Sequence, residues 1–348
     1  MKRKKGVSMK AAVLTAPGKI EIQDVKKPEI KGNELLVKLK FCGICTLEQR
    51  LYSGSRKMFY PLIMGHEAAG EVVEVGKDVL SDITPGTRVA LDLIIRCHAC
   101  YYCRVGMSNR CLNRSLSNKV LGGFGEYIAI HYAQAFPIPD SLSYEEAAFA
   151  EPVACCIHSL KKINFTMAED LLIIGAGPMG LLHLQVALCM GGRVFISEPD
   201  ERRRKMAEKM GAFLTIDPDR ENVSEVLKKH TEGRGADACI ITSPAPGVLD
   251  MGIRSIGKGG RINIYTSYNN KPSIPVDANK LHHDELIISG SEGRTELDFQ
   301  QAVRLLSFGK INVKPLISKL TSFSTIDSGM NSALSEDTYR VLLDLEAE

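Results

Sequence analysis

The chain reads as α/β plus β, a β-rich first half joined to a doubly wound parallel sheet. Three observations carry this. Short β-prone runs broken by Gly, Pro and Asp fill the chain up to about residue 150. From about residue 155, short apolar strands alternate with helical runs, the pattern of a parallel sheet with crossovers. At the head of that second region, Gly175-Ala176-Gly177-Pro178-Met179-Gly180 follows an apolar strand and opens a helix.

The elements follow in order. Residues 10–14, 34–40, 69–75 and 88–93 read as strands, with turns such as Thr84-Pro85-Gly86 between them. In the second region, 171–174 is an apolar strand and Leu181, Leu184 and Leu188 mark the next helix. Strands at 193–197 and 213–216 flank a charged helix at 201–210, and further strands are expected at 238–242, 261–265 and 285–289. Beyond residue 291 come one helix at 297–307, a strand at 317–320 and a final apolar run at 339–345. That tail is too small to fold alone and should pack onto an earlier unit. No internal repeat or low-complexity stretch is visible.

Composition narrows the function classes. A length of 348 residues suggests two domains, and 44% hydrophobic residues are enough to give each a core. The net charge of +3 is dispersed, which argues against a nucleic-acid partner. The basic cluster Lys2, Arg3, Lys4 and Lys5 reads as a solvated tail or as an upstream start before Met9. No apolar run approaches the roughly 18 residues of a membrane span, so no membrane partner is expected. Free thiols beside a thiolate metal site point to a reducing cytosol, hence a cytoplasmic protein.

Cys97, Cys100, Cys103 and Cys111 are spaced C-x2-C-x2-C-x7-C. Four thiolates on short loops match the tetrahedral shell of a closed structural zinc site, which holds a lobe in shape and has no open position. An iron–sulfur cluster is less well matched, because no Cys-Pro follows the last cysteine and no second cluster motif is present. A disulfide ladder would be strained at these separations.

The glycine run sits in the context that gives it meaning. Gly175 permits the tight turn, Gly177 lets a diphosphate approach the backbone, and Gly180 lets helix and strand pack closely. Pro178 and Met179 then stand at the helix N-terminus, where free N–H groups face phosphate. Glu198 ends the next strand, where a carboxylate binds ribose hydroxyls and repels a 2′-phosphate, so NAD is favoured over NADP. Arg203, in the run Arg202-Arg203-Arg204, is the reservation, since one of these cations could reach a phosphate.

A second metal site is suggested by Cys45 in Cys42-Gly43-Ile44-Cys45, by His66 and Glu67 in Gly65-His66-Glu67, and by Glu151 before Pro152. Thiolate, imidazole and carboxylate together make a mixed shell with room for water or substrate, as in catalytic zinc.

With these motifs in hand, the chain resembles the zinc-dependent medium-chain dehydrogenase/reductase family of alcohol, sorbitol and threonine dehydrogenases. The resemblance covers about residues 9 to 345 and includes Gly122-Gly123-Phe124-Gly125-Glu126-Tyr127, Glu151-Pro152 and Gly259-Gly260-Arg261. Glu151-Pro152 is similar to the polyol and threonine branch. The resemblance implies a GroES-like catalytic domain built from 1–153 and 292–348, with a zinc lobe at about 94–115, and a Rossmann domain inserted at 154–291. It implies two zinc ions per chain and a homodimer or homotetramer. Carried over by position, Cys45 and His66 are ligands of the catalytic zinc. Glu67 and Glu151 compete for the carboxylate place, with Glu151 preferred and Glu67 adjacent.

The implied reaction is zinc-assisted oxidation of a secondary alcohol by hydride transfer to nicotinamide. The alcohol would be a polyol, a sugar-derived alcohol or a hydroxy amino acid. One part departs from the family. Relatives carry Ser or Thr two residues after the zinc cysteine and often His five after it, and here Leu47 and Arg50 stand there. Leucine relays no proton and arginine stays charged. Glu48 replaces the usual Asp, and Thr46 has a hydroxyl one residue early. Glu67, Glu151 and Thr46 are therefore the candidate catalytic groups, with a carboxylate the expected proton acceptor. Leu47, Tyr60, Phe124 and Glu151 are candidates for lining the substrate pocket. The alternatives are a family reductase of a C=C or C=N bond, or a nucleotide-binding protein with a degenerate site.

Overall fold

The computed structural model describes residues 7–113, 122–268, 276–335 and 337–347. The basic cluster at Lys2, Arg3, Lys4 and Lys5 lies outside the described residues. Two compact units emerge, one made of Met1–Glu151 with Thr295–Glu348 and the other of Pro152–Arg294. Among the described residues no helix is long and apolar enough to cross a membrane.

The first unit opens with β1 (Ser8–Ala16) and β2 (Lys19–Lys26), joined by a tight turn at Pro17-Gly18 with Gly18 at φ +73°. It continues through β3 (Glu34–Ile44), α1 (Thr46–Tyr52), β4 (Leu62–Ile63), β5 (Glu67–Val75) and β6 (Arg88–Asp92). Then come α2 (Tyr101–Arg104), β7 (Tyr127–His131), β8 (Ala135–Pro137) and α3 (Tyr144–Ala147), and α4 (Ala150–Lys162) begins at the last two residues of this unit and continues in the second. The second unit adds β9 (Asp170–Ile174), α5 (Pro178–Cys189), β10 (Arg193–Ser197), α6 (Glu201–Lys209) and β11 (Leu214–Ile216). It ends with α7 (Val223–His230), β12 (Ala236–Ile241), α8 (Val248–Ser255), β13 (Ile256–Ile264), α9 (Ala278–His283) and β14 (Ile287–Gly290). The chain then returns to the first unit with α10 (Glu296–Ser307), β15 (Ile317–Thr321), α11 (Ile326–Leu334) and β16 (Arg340–Asp344).

In the second unit all six strands run parallel in the order β11-β10-β9-β12-β13-β14. Numbered along the chain this is 3-2-1-4-5-6, the doubly wound Rossmann order. β9 is buried at every residue, as expected of a strand covered on both faces.

The first unit holds a mostly antiparallel sheet in the order β15-β16-β3-β5-β6-β8, with β7 also on β3, and a smaller sheet β2-β1-β4. Its core includes Leu35, Leu39, Leu91, Phe124, Val341 and Leu343. Burying each of the aliphatic side chains is worth about 1.5–3 kcal/mol. The tail earns its place through β16, which pairs with β3 so that Leu342 lies opposite Gly43 and Val341 opposite Ile44.

The tail holds more helix than expected. α11 is absent from the sequence reading because its residues include Asp327, Ser328, Gly329, Asn331 and Ser332, all poor helix formers. It forms because Ile326, Met330 and Ala333 bury one face. Gly329 is needed there, since a Cβ would lie 2.6 Å from the Thr321 side chain.

Candidate metal and dinucleotide sites

The four-cysteine lobe is rooted on β6. Arg96, nearly fully buried, bonds Asp92 at 2.7 Å and lies 3.5 Å from Glu296 on α10. Ser108, within the lobe, donates to the same Glu296. The sulfurs of Cys97, Cys100, Cys103 and Cys111 all lie within 4.8 Å of one another, and none is in a disulfide. Tetrahedral zinc with Zn–S of about 2.3 Å needs sulfurs about 3.8 Å apart, so the cluster fits a four-thiolate shell. The backbone prepares it. The N–H of Cys100 points at Cys97 Sγ and that of Cys97 at Cys111 Sγ, both at 3.3 Å. Backbone N–H groups of Ala99 and Cys100 hold the Cys97 thiol down at about 6. Burial, then the neighbouring thiols, push Cys103 up to about 12. A cation is what would bring all four to the thiolate form.

The mixed site is built where β3 ends and β5 begins. Cys45 is the N-cap of α1, and its sulfur accepts from the N–H of Leu47 at 3.2 Å. Gly65 turns the chain at φ +92° ahead of His66, and a Cβ there would lie 2.5 Å from the Phe124 ring. The result sets Cys45 Sγ 3.6 Å from His66 Nε2. Two ligands of one tetrahedral zinc, at about 2.3 Å for sulfur and 2.0–2.1 Å for nitrogen, would be about 3.6 Å apart. Glu151, in the first turn of α4, brings Oε1 to 4.0 Å from the same Nε2. That is wider than the roughly 3.4 Å of a bound carboxylate, so Glu151 would close inward on a metal.

Glu48 does the orienting. It is fully buried, and its Oε1 lies 2.8 Å from His66 Nδ1 while Oε2 accepts from the N–H of Cys45 at 3.1 Å. A carboxylate only accepts, so the imidazole proton sits on Nδ1 and the Nε2 lone pair faces Cys45 and Glu151. Burial alone would raise the Glu48 carboxyl, but the charge and hydrogen bond of His66 together with the hydrogen bonds from Cys45 and the backbone bring the net shift downward. Burial also pushes the Cys45 thiol up to about 12, with the Glu48 charge adding to it. A metal cation is the partner this thiolate lacks.

Glu67 keeps a carboxylate oxygen within 4.8 Å of the His66 nitrogen and the Glu151 oxygen, and it has a further partner. Its Oε1 is 3.2 Å from the guanidinium of Arg340, and both side chains are buried. Arg340 also donates to the Ile44 carbonyl at 3.2 Å, so β16 locks onto the end of β3. Burial pushes Glu67 up to about 7, opposed chiefly by Arg340. Gly43 makes the space, since a Cβ there would lie 2.1 Å from Glu67 Oε2.

Other expected residues fall elsewhere. Thr46 is exposed as the first residue of α1, and among the described residues it makes no hydrogen bond to the cluster. Phe124 is fully buried under Gly65, a core residue and not a pocket wall. Leu47 and Tyr60 are half-buried against the core. The sequence reading named Glu48 only as a replacement for the usual Asp, without a role, and it missed Arg340. Glu48 carried a usable signal, because Glu three residues after a helix N-cap can close a capping box on that cap. Arg340 carried none, standing 273 positions beyond Glu67.

The dinucleotide site belongs to the second unit. Gly175 lies at φ +105°, and a Cβ there would come 2.6 Å from Thr242 Oγ1. At Gly180 a Cβ would lie 2.0 Å from the Gly175 carbonyl, so the helix must approach as glycine. At Gly177, the N-cap of α5, a Cβ would meet nothing within 4 Å. That open space, at a helix start with no side-chain cap and Pro178 at N1, lets a diphosphate approach the N-terminal end of the helix. Buried Glu198 accepts from the Ala176 N–H at 2.7 Å and from the Asp200 N–H at 3.0 Å. One lone pair on each oxygen remains for a ribose hydroxyl. Arg204 is committed to the carbonyls of Glu198 and Pro199 and to Asp217. Arg203 is half-buried, and its N–H donates to Asp200. The residues fit a dinucleotide in the second unit and two zinc ions in the first.

Known proteins agree with this architecture. Residues 31–140 match the family described as Alcohol dehydrogenase GroES-like domain, and residues 178–307 match Zinc-binding dehydrogenase. The chain is 31% identical to sorbitol dehydrogenase of Bacillus subtilis, over 94% of each chain. To L-threonine 3-dehydrogenase of Pyrococcus horikoshii it is 32% identical, over 97% of this chain and 99% of that one. A crystal structure of a zinc-binding dehydrogenase from Sinorhizobium meliloti bound to NADP superposes with a TM-score of 0.90 at 30% identity, covering 97% of this chain and all of that one. Fold, metal donors and glycine motif thus meet in one conclusion: the chain belongs to the zinc-dependent medium-chain dehydrogenase family.

Proposed function

We propose that the protein oxidises a secondary alcohol of the polyol, sugar-alcohol or hydroxy-amino-acid class, with zinc and a nicotinamide dinucleotide. The observation that carries this is the pair Cys45 Sγ and His66 Nε2 at 3.6 Å with Glu151 beside it, a three-donor set that leaves a place for a substrate oxygen. When bound, zinc polarises the alcohol oxygen and the dinucleotide accepts the hydride. The chain's own residues do the rest. Cys45, His66 and Glu151 hold the ion. Glu48 keeps the His66 proton on Nδ1 and the ring in place. Arg340 keeps Glu67 paired at the edge of the site. Leu47 takes no proton and Arg50 stays charged, so the alcohol proton leaves by Glu67 or Glu151 with water or a neighbouring substrate hydroxyl.

In the second unit, Gly177, Pro178 and Met179 receive the diphosphate and Glu198 the ribose, which favours NAD over NADP. β14 is one of the two edges of the parallel sheet, with Ile287 54% exposed, and it supports assembly as a homodimer or homotetramer. Ten free cysteines support a reducing, cytoplasmic setting.

The test is a panel of polyols, sugar acids and amino alcohols with NAD and with NADP. Alcohol-dependent NADH formation that is lost in His66→Ala supports the reading. A wild-type enzyme that holds two zinc ions yet oxidises no alcohol, while reducing a C=C or C=N bond, would replace it with the reductase reading.

A further inference from the structure

Between Glu48 and Glu67 the chain contains no Asp or Glu, yet it carries Arg50, Arg56 and Lys57. This is the segment that leaves the zinc cysteine. α1 starts directly after Cys45, so at about 1.5 Å per residue Arg50 lies only some 7–8 Å further along the helix axis. Leu47 and Arg50, three residues apart, are neighbours on the helix surface, while Glu48 and Leu51 take the buried side.

The chain then folds back instead of trailing away. Gly54 turns it at φ +73°, and the Arg56 N–H donates to the Arg50 carbonyl at 3.0 Å. The hydroxyls of Ser53 and Ser55 both donate to that same carbonyl at 3.3 Å. The Tyr52 carbonyl accepts from the Gly18 N–H at 2.7 Å, which ties the turn to the first hairpin. Arg56 is therefore held beside Arg50. Arg56 and Lys57 are exposed, and among the described residues neither makes an ion pair. Asp327 of α11 acts on Tyr52, whose hydroxyl is raised by burial and then by that charge, while the charged residues of the 49–66 segment itself are Arg50, Arg56 and Lys57. A local excess of one sign gathers ligands of the opposite sign.

We infer that Arg50, Arg56 and Lys57 form a cationic clamp for the phosphate monoester of a phosphorylated polyol substrate. The phosphate sits against this loop while the carbinol oxygen reaches the Cys45–His66–Glu151 site. The inference rests on the alcohol-oxidising reading above and narrows its substrate class. Two guanidinium groups and an ammonium match a dianion with three acceptor oxygens better than a carboxylate with one charge.

The experiment compares sorbitol, sorbitol 6-phosphate and gluconate as substrates at low ionic strength, using wild type and Arg56→Ala/Lys57→Ala. The expected result is a kcat/KM at least about 10-fold higher for the phosphate ester than for sorbitol. That ratio should fall about 10-fold or more in the double variant and should shrink as salt is added. Thermal unfolding of the variant checks its fold, and Arg56→Lys should restore part of the ratio. Equal or better use of sorbitol overturns the clamp, as does equal use of gluconate or a ratio unmoved by the double variant. If the wild type oxidises none of the three, the alcohol reading fails separately, and titration calorimetry with sorbitol 6-phosphate decides the clamp. Tighter binding to wild type than to the variant upholds it, and equal binding overturns it.

Discussion

Two cysteine-bearing sites share the first unit, and they are built by opposite means. The lobe sets four sulfurs around one point near the surface, with Cys97 and Cys100 receiving backbone N–H groups. The other site centres on His66, which shares one close group with Cys45 and Glu48 and a second with Glu67 and Glu151, and Arg340 adds a buried cation. The lobe's four donors come from one stretch of 15 residues, so its ion can hold the loops locally. The mixed site needs a scaffold that keeps three unlike donors aimed when one coordination position stays open. The difference teaches where function resides. A closed shell carries its donors on one local stretch and is anchored from outside through Arg96, Ser108 and Glu296, whereas the open one takes its donors and their orienting partners from segments far apart along the chain.

That contrast can be broken in several places. The largest effect is expected at Arg340. Arg340→Leu leaves Glu67 buried without its cation, which should cost about 3–5 kcal/mol and lower Tm by about 10 °C. Pairing it with Glu67→Gln should recover much of the loss. A double variant no better than the single one would show that Arg340 acts through packing alone. At the lobe, Cys100→Ser should release one zinc per chain and lower Tm by about 5–10 °C, while the mixed site keeps its metal. Metal analysis beside calorimetry checks this, and loss of both ions would mean that the two sites are one cooperative system.

Smaller changes sharpen the picture. Glu48→Gln removes the acceptor charge behind His66 and should weaken zinc at the mixed site by about 10–100-fold, with lobe zinc untouched. Competition with a chelator reads the two sites apart. Thr46→Ala should change kcat/KM by less than about twofold, because this exposed hydroxyl lies outside the cluster. A drop of tenfold or more would return Thr46 to the proton route.

Much of this was legible in the residues. The C-x2-C-x2-C-x7-C run and the glycine turn are local, so spacing alone carries their geometry. Cys45, His66 and Glu151 are dispersed, and only their company made them candidates. What stayed hidden was long-range or context-dependent. The ion pair of Arg340 with Glu67 depends on β16 returning to β3, which no window of sequence reveals. α11 folds against its own propensities because tertiary burial outweighs them. Phe124 stands in a glycine-rich run that suggested a pocket wall, yet Gly65 leaves room for its ring and the core takes it.

The most direct test counts zinc per chain in wild type and in His66→Ala, alongside alcohol-dependent NADH formation. An ion gripped by Cys45, His66 and Glu151 predicts two equivalents and turnover in the first, and one equivalent with turnover at least about a thousandfold lower in the second. One equivalent in the wild type, or undiminished oxidation by the variant, would contradict it.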